Sequence, residues 1–371
     1  MPSVFVYGTL RHAPLLAIVT GELPATTPAR LAGHAVVQAR GEDYPLLVPR
    51  PGAVATGLLV EMSDEGFARA DWYETAFGYA CRPCELQTDA GARTALVWLP
   101  QEAPQADDGP WSLERWQPGW AALSEIAASE AMSFFGRLTP AELGFSFTMM
   151  QMRADAHLRS HDKPRPRVTS DMTSDRVELL SSRADHIGYF TTRVDTLRHP
   201  TFAGGMSAVL KRETFIAGDA AIVLPYDPVR DRVLLVEQFR MGPYARGSRY
   251  PWMLEPVAGR VDPGETPETC ARREAVEEAG LDLRDLLHVG DFYPSPGCIT
   301  EYFHTYVGLC DLPDSIPGTH GVDAEGEDIR TRLLPFEAAM DLIPAGEADN
   351  GPLFLLLTWL SRERPRLRGM A

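Results

Sequence analysis

The stretch from Gly259 to Leu281, reading GRVDPGETPETCARREAVEEAGL, constrains the chain more than any other. Pro263-Gly264 is a turn signal. Thr266 followed by Pro267 reads as an N-cap with proline at the first helical position. The spacing predicts a helix over 269–279, stopped by Gly280 in a left-handed position. Glu274, Glu277 and Glu278 fall at i, i+3 and i+4 and share one helix face. Three carboxylates on one face repel one another, and Arg273 can offset only one of them. A hard divalent cation is the natural remedy, because Mg²⁺ takes oxygen ligands and carboxylates supply them. The plain alternative is a charged, solvated helix.

Two domains are the prior for a chain of 371 residues. A net charge of −16 argues against nucleic acid or an anionic membrane as partner. A phosphate-bearing substrate must then be held by local arginines and metal against the overall field. The first residues, Met-Pro-Ser-Val-Phe-Val-Tyr, lack a basic region followed by an apolar core, so no signal peptide is expected. The apolar run near Leu353 to Leu360 is too short to span a bilayer. Five cysteines, an odd number without a framework, fit a reducing cytoplasm. Cys81-Arg-Pro-Cys84 has the look of a metal knuckle, but no second pair follows, and cysteines carried on a strand are the better reading.

Toward the N-terminus, Val4–Tyr7 is a short apolar strand ending at Gly8-Thr9-Leu10-Arg11. Gly8 allows close backbone approach, and amides just after a strand make an anion nest. Strands are expected over 29–38 and 53–62, with Tyr44-Pro45-Leu46 between them. A helix is expected over 64–73 from Ser63, with Glu74 at its end, then strands over 79–86 and 92–99. The polar 101–109 reads as a loop. Helical periodicity marks 111–135 and 140–157, with Met149, Met150 and Met152 on a core face. Alternating prolines near 161–166 read as a linker. Strands follow over 177–180, 186–194, 206–216, 219–226 and 233–239, then 287–292, 302–309 and 330–334. Helices close the chain over 336–342 and 350–362, the last capped by Asp349.

Gly259, Glu265, Arg273, Glu274, Ala275, Glu277, Glu278, Gly280 and Leu281 meet every fixed position of the Nudix box, and the chain is identified as a member of the Nudix hydrolases. The resemblance implies an α/β/α sandwich that binds Mg²⁺, or Mn²⁺, and cleaves a diphosphate linked to another moiety. It implies Glu274, Glu278 and the carbonyl of Ala258 as metal ligands, oriented by Arg273, Glu265 and Glu277. Lys211-Arg212-Glu213, Glu237-Gln238-Phe239-Arg240, Glu255 to Gly259, Ser295-Pro296-Gly297 with Thr300-Glu301, and Glu325-Gly326-Glu327-Asp328 narrow this. Together, over about 186–362, they resemble bacterial ADP-ribose pyrophosphatases. That resemblance implies Arg212 and Arg240 at the diphosphate or ribose, Ser295 and Glu301 at the terminal ribose, and Tyr189 or Phe190 on adenine. It implies Glu325 as the base, with Glu327 beside the metals, and a homodimer through this domain. The alternatives are another nucleoside-diphosphate sugar, such as GDP-mannose, or a sensor that binds ADP-ribose without cleaving it.

Tyr7-Gly8-Thr9-Leu10, Asp71 with Glu74, and Tyr79 with Arg82 resemble the γ-glutamylcyclotransferase-like fold over about 1–100. That fold implies a small mixed β-barrel and α domain in which the Tyr7–Leu10 turn holds a carboxylate and Glu74 moves protons. Ala70 before Asp71 and Thr75 after Glu74 depart from the family pattern, so activity does not follow from the fold. The expected organisation is an α+β chain: 1–100 as this domain, 101–166 as a helical linker and 167–371 as the Nudix hydrolase. The pairing also resembles Nudix proteins associated with tellurite resistance, which supplies no chemistry.

Overall fold

The structure, a computed structural model, describes residues 1–102, 105–161, 168–170, 172–316, 318–321 and 328–370. Its contacts divide the chain into two units, Met1–Pro164 and Arg165–Ala371.

In the first unit the elements run β1 (Ser3–Val6), a 3₁₀ turn (Thr9–Arg11), α1 (Ala13–Thr20), β2 (Ala25–Ala39), β3 (Pro45–Glu61), α2 (Asp64–Ala76), β4 (Tyr79–Thr88), β5 (Gly91–Pro100), β6 (Ala106–Pro110), α3 (Leu113–Met132) and α4 (Pro140–His161). Val4, Phe5 and Val6 of β1 are buried because the strand is paired on both sides, antiparallel to β3 and parallel to β5. The pairings β3–β2, β2–β4 and β4–β5 complete a closed five-stranded barrel. Closure removes the exposed edges a small sheet would otherwise carry. Phe5, Tyr7, Leu31, Leu47, Leu59, Leu86 and Val97 form its core. Ser63 caps α2 as expected, accepting a hydrogen bond from Gly66 N at 2.9 Å.

Three features differ from the sequence reading. α1 was not expected; Pro14 starts it and Gly21, at φ 75°, ends it. Within the expected loop 101–109, β6 begins at Ala106 and pairs with β2 at the edge of the sheet, where one side faces water and a polar sequence suffices. α3 and α4 are not a separate linker. Their apolar stripes, including Trp116, Leu123, Leu143 and Met150, are buried within the first unit. Phe147 of α4 meets Tyr73 of α2 and Phe77, which caps the C-terminal end of α2, edge-on. His12, ahead of α1, sits 2.7 Å from Glu125 of α3. Periodicity reveals such a stripe but not the surface that covers it.

The second unit runs β7 (Glu178–Ile187), β8 (Thr191–Arg198), β9 (Leu210–Ile216), β10 (Ala220–Asp227), β11 (Arg232–Phe239), α5 (Met241–Arg246), β12 (Trp252–Glu255), β13 (Val257–Arg260), α6 (Pro267–Ala279), β14 (Asp285–Phe292), β15 (Phe303–Leu309), β16 (Thr319–His320), β17 (Ile329–Pro335), α7 (Phe336–Ala345) and α8 (Gly351–Arg368). β7, β8 and β9 form their own antiparallel sheet. The strand expected over 186–194 is broken there by a turn in which Gly188 N donates to Phe190 O. The larger sheet carries β14-β15-β10-β11-β17-β16. β10 and β11 pair only near Tyr226 and Asp227, then part; β13 takes over along β10 and β12 along β11.

Every residue of β10 is buried, because helices cover both faces of the sheet. Ala221, Val223, Leu234 and Val236 face α6. Ile222, Leu224, Val233 and Leu235 face α7 and α8. This is the expected α/β/α layering. Asn350 rather than Asp349 caps α8: its side chain accepts from Leu353 N at 3.0 Å and donates to Leu254 O at 2.8 Å, a second bond that ties the cap to β12. No helix among the described residues is long and apolar enough to cross a membrane.

Candidate active site

α6 forms where the sequence places it. Thr266 Oγ1 accepts from Thr269 N at 3.2 Å, and Gly280 ends the helix at φ 62°. The helix buries Cys270, Ala271, Ala275 and Ala279 against the sheet. That rotation also turns Glu274 and Glu278 inward, 9 % and 2 % exposed, and leaves Glu277 nearer the surface. Glu278 Oε2 accepts from Ala258 N at 3.2 Å. Glu274 lies directly on Gly259, where an added Cβ would fall 1.7 Å from Glu274 Oε1. Glycine at 259 is therefore a steric requirement of this carboxylate's position.

Arg273 is the hub of the face. Its Nε and Nη2 clamp Glu265 at 3.1 and 3.0 Å, and its Nη1 meets Glu274 at 2.6 Å and Glu277 at 2.9 Å. Nη2 also donates to Arg260 O at 3.0 Å. A guanidinium fork suits such bidentate work, and it fixes Glu265 and Glu274 together. Among the described residues no three His, Cys, Asp or Glu side chains are gathered as a ready metal cage. The donor chemistry still fits a divalent cation: two buried carboxylates one helical turn apart, beside the backbone of Ala258 and Gly259.

The remaining candidates of this unit lie on several elements. Arg240 follows β11 and binds Glu255 of β12, Nε to Oε2, at 2.5 Å. Glu301 pairs with Arg260 at 2.7 Å, and Arg260 also donates to Gly218 O at 3.0 Å and lies over the Phe190 ring. Phe190 packs on Phe215, whereas Tyr189 is half-exposed. Ser295 opens the turn that returns to β9, with its Oγ 3.4 Å from Cys298 Sγ. Arg212 is exposed on β9, and its Nη1 donates to Lys211 O. The structure thus brings Phe190, Arg260 and Glu301 together, and shows no contact between Arg212 and Arg240. Glu325 and Glu327 lie outside the described residues. The sequence reading missed Arg260 and gave Glu255, though part of the matching stretch, no role of its own. Arg260 occupies a position the box leaves free, and its signal was only alternation: along β13 it must face away from the side on which Gly259 meets Glu274.

In the first unit, Gly8 approaches Pro45 so closely that a Cβ would sit 2.7 Å from the proline ring. The next residues fold into the 3₁₀ turn, with Arg11 N donating to Gly8 O at 3.0 Å. Leu10 is buried beneath it. Tyr7 is buried, and its hydroxyl donates to Trp98 O at 3.1 Å. Trp98 Nε1 donates to Asp71 at 2.9 Å. Burial, and then the nearby Asp71 carboxylate, push Glu74 up to about 7. Burial raises Tyr7 well above the usual tyrosine value, with Tyr79 and Glu74 adding to it. Glu74 therefore acts on both Tyr7 and Tyr79, an arrangement suited to proton transfer near neutral pH. Arg82 stays exposed, with a long bond to Cys81 O.

Comparison with known proteins agrees with both halves. The family model described as NUDIX domain matches residues 217–357, and the one described as Gamma-glutamyl cyclotransferase, AIG2-like matches residues 4–118. An ADP-ribose pyrophosphatase of Haemophilus influenzae is 39% identical over 194 residues, covering 52% of this chain and 89% of that protein. An ADP-ribose pyrophosphatase of Escherichia coli (strain K12) is 40% identical over 192 residues, covering 52% of this chain and 91% of that protein. A GDP-mannose pyrophosphatase of Salmonella choleraesuis is 34% identical over 187 residues, covering 50% of this chain and 96% of that protein. With the box residues folded as a capped helix against the sheet and relatives of this identity matched over most of their length, the chain belongs to the Nudix family and carries a gamma-glutamyl cyclotransferase, AIG2-like unit at its N-terminal end.

Proposed function

We propose that the second unit hydrolyses ADP-ribose to AMP and ribose 5-phosphate with Mg²⁺, or Mn²⁺, held by Glu274, Glu278 and the carbonyl of Ala258. The observation that carries this reading is the burial of Glu274 and Glu278 side by side against Ala258 and Gly259, with Arg273 clamping Glu265 and holding Glu274 in place. A bound divalent cation would neutralise charge that develops on the diphosphate. Arg240, aligned by Glu255, clamps a diphosphate oxygen. Glu301, aligned by Arg260, and Ser295 take the terminal ribose. Phe190, with Tyr189 at its edge, takes the adenine, and Arg212 the outer side of the diphosphate or ribose. Glu325 accepts the proton of the attacking water, and Glu327 supports the cation site.

The test is product analysis with ADP-ribose, GDP-mannose and related compounds in Mg²⁺, using wild type and two variants. ADP-ribose should be the best substrate, giving AMP and ribose 5-phosphate. Glu325→Gln should lose kcat by at least about a hundredfold, and added Mg²⁺ should not restore it, because a base acts in the transition state. Glu327→Gln should lose less, and extra Mg²⁺ should restore part of it. The reverse pattern moves the base to Glu327. Preference for GDP-mannose overturns the substrate, and tight ADP-ribose binding without turnover makes the unit a sensor.

For the first unit, Glu74, close enough to Tyr7 to raise it, supports a cyclotransferase that releases 5-oxoproline from a γ-glutamyl amine. Its rate should change through an inflection near pH 7, where Glu74 titrates. Absence of 5-oxoproline from a panel of γ-glutamyl dipeptides, across pH 5 to 9, leaves the unit a binding module instead.

A further inference from the structure

Gln238 lies in the second unit two residues before Arg240 and is 8 % exposed. Its amide nitrogen is buried without a hydrogen-bond partner among the described residues. An amide taken out of water and left unpaired destabilises the fold that holds it, so such groups usually have a partner in the working state. The pairing register shows where this one sits. Val236 is opposite Glu255 and Gln238 is opposite Met253 across β11 and β12. Val236 packs on the α6 side of the sheet. Side chains alternate along a strand, so Gln238 and Glu255 emerge on that same side. Arg240 continues the extended backbone, at φ −124° and ψ 128°, and joins them there. Its ion pair with Glu255 runs diagonally past Gln238. This is also the side of the sheet on which α6 presents Glu274 and Glu278.

We infer that Gln238 is a substrate-binding residue, its amide nitrogen donating a hydrogen bond to an anionic oxygen of the diphosphate held by Arg240. The inference rests on the ADP-ribose reading above. It follows from what the group can do: an amide nitrogen is a donor only, and the cationic Arg240 beside it favours an anionic acceptor in that place. A hydrophobic side chain of the same length would pack more comfortably in the empty site. Glutamine at 238 therefore exchanges stability for recognition.

The experiment measures two quantities on Gln238→Met, which keeps length and removes the donor. Steady-state kinetics on ADP-ribose with saturating Mg²⁺ should show kcat/KM lower by about ten- to a hundredfold, the usual worth of one hydrogen bond to a charged group. Thermal melting of the ligand-free protein should show a Tm equal to wild type or higher. Gln238→Glu, which offers an anion to an anion, should lose more activity than Gln238→Met. A Gln238→Met enzyme within twofold of wild type overturns the inference. So does a variant that loses activity and melts several degrees lower, because the amide would then be a structural group paired through water. Wild type that fails on ADP-ribose refutes the proposed substrate instead, whereas active wild type with an unaffected variant refutes this inference alone.

Discussion

Glu278→Gln is expected to lower kcat for ADP-ribose by about a hundredfold or more, corresponding to roughly 3 kcal/mol of transition-state stabilisation. Glutamine keeps the length and one acceptor oxygen, so the bond from Ala258 N at 3.2 Å survives and α6 stays docked. What disappears is a negative charge buried to 2 % exposure at the proposed cation site. A buried carboxylate without a cation is costly to the fold, so the neutral variant should melt no lower than wild type in the absence of metal. Loss of activity with retained or raised Tm is the signature of a ligand rather than a packing residue. Near-wild-type turnover at saturating Mg²⁺ would remove Glu278 from the site.

Gly259→Ala should be as damaging to activity by a different route. The added Cβ would fall 1.7 Å from Oε1, 1.9 Å from Cδ and 2.4 Å from Cγ of Glu274. No rotation of the carboxylate alone relieves all three, so the whole side chain must leave its place. It is held there by Arg273 at 2.6 Å and is 9 % exposed, with little room to move. Crowding of this kind costs about 1–3 kcal/mol in stability. Displacing this proposed cation ligand should lower kcat by about a hundredfold as well. Gly119→Ala is the control: it lies within α3 with nothing within 4 Å of its would-be Cβ, so it should be neutral or stabilising. If Gly259→Ala matches that control in activity and Tm, the close contact with Glu274 is not a feature of the working protein.

Much of the second unit was legible because its signals are local. A cap, a proline, a stop and a carboxylate face all fall within Thr266 to Gly280, and the helix forms with those boundaries. The strand expected over 219–226 forms as β10, although its burial on both faces was not legible from its alternation. The Ser63 cap and the start of α2 were equally plain. The errors were local decisions settled by distant partners. Asn350 takes the cap from its neighbour because it can also reach Leu254. Ala106–Pro110 becomes a strand because β2 offers an edge. α3 and α4 join the first unit because α1 and α2 present the surfaces their apolar stripes need.

The functional residues divide in the same way. Sequence alone determined the carboxylate set of α6, since i, i+3 and i+4 spacing fixes which side chains share a face. It also marked Gly8 as a place where the backbone can be approached closely; that Gly259 must be glycine was set by the Glu274 side chain lying on it. Only the tertiary structure decided which carboxylates are buried, because that depends on the rotation of α6 against Ala221 and Val223. It alone set Glu74 near pH 7, through burial and Asp71 together. It alone joined Arg240 to Glu255 and Arg260 to Glu301, and left the Gln238 amide unpaired. Those outcomes depend on strand register and on contacts between residues far apart in the chain. A periodic pattern encodes which face a side chain takes, but not what it will find there.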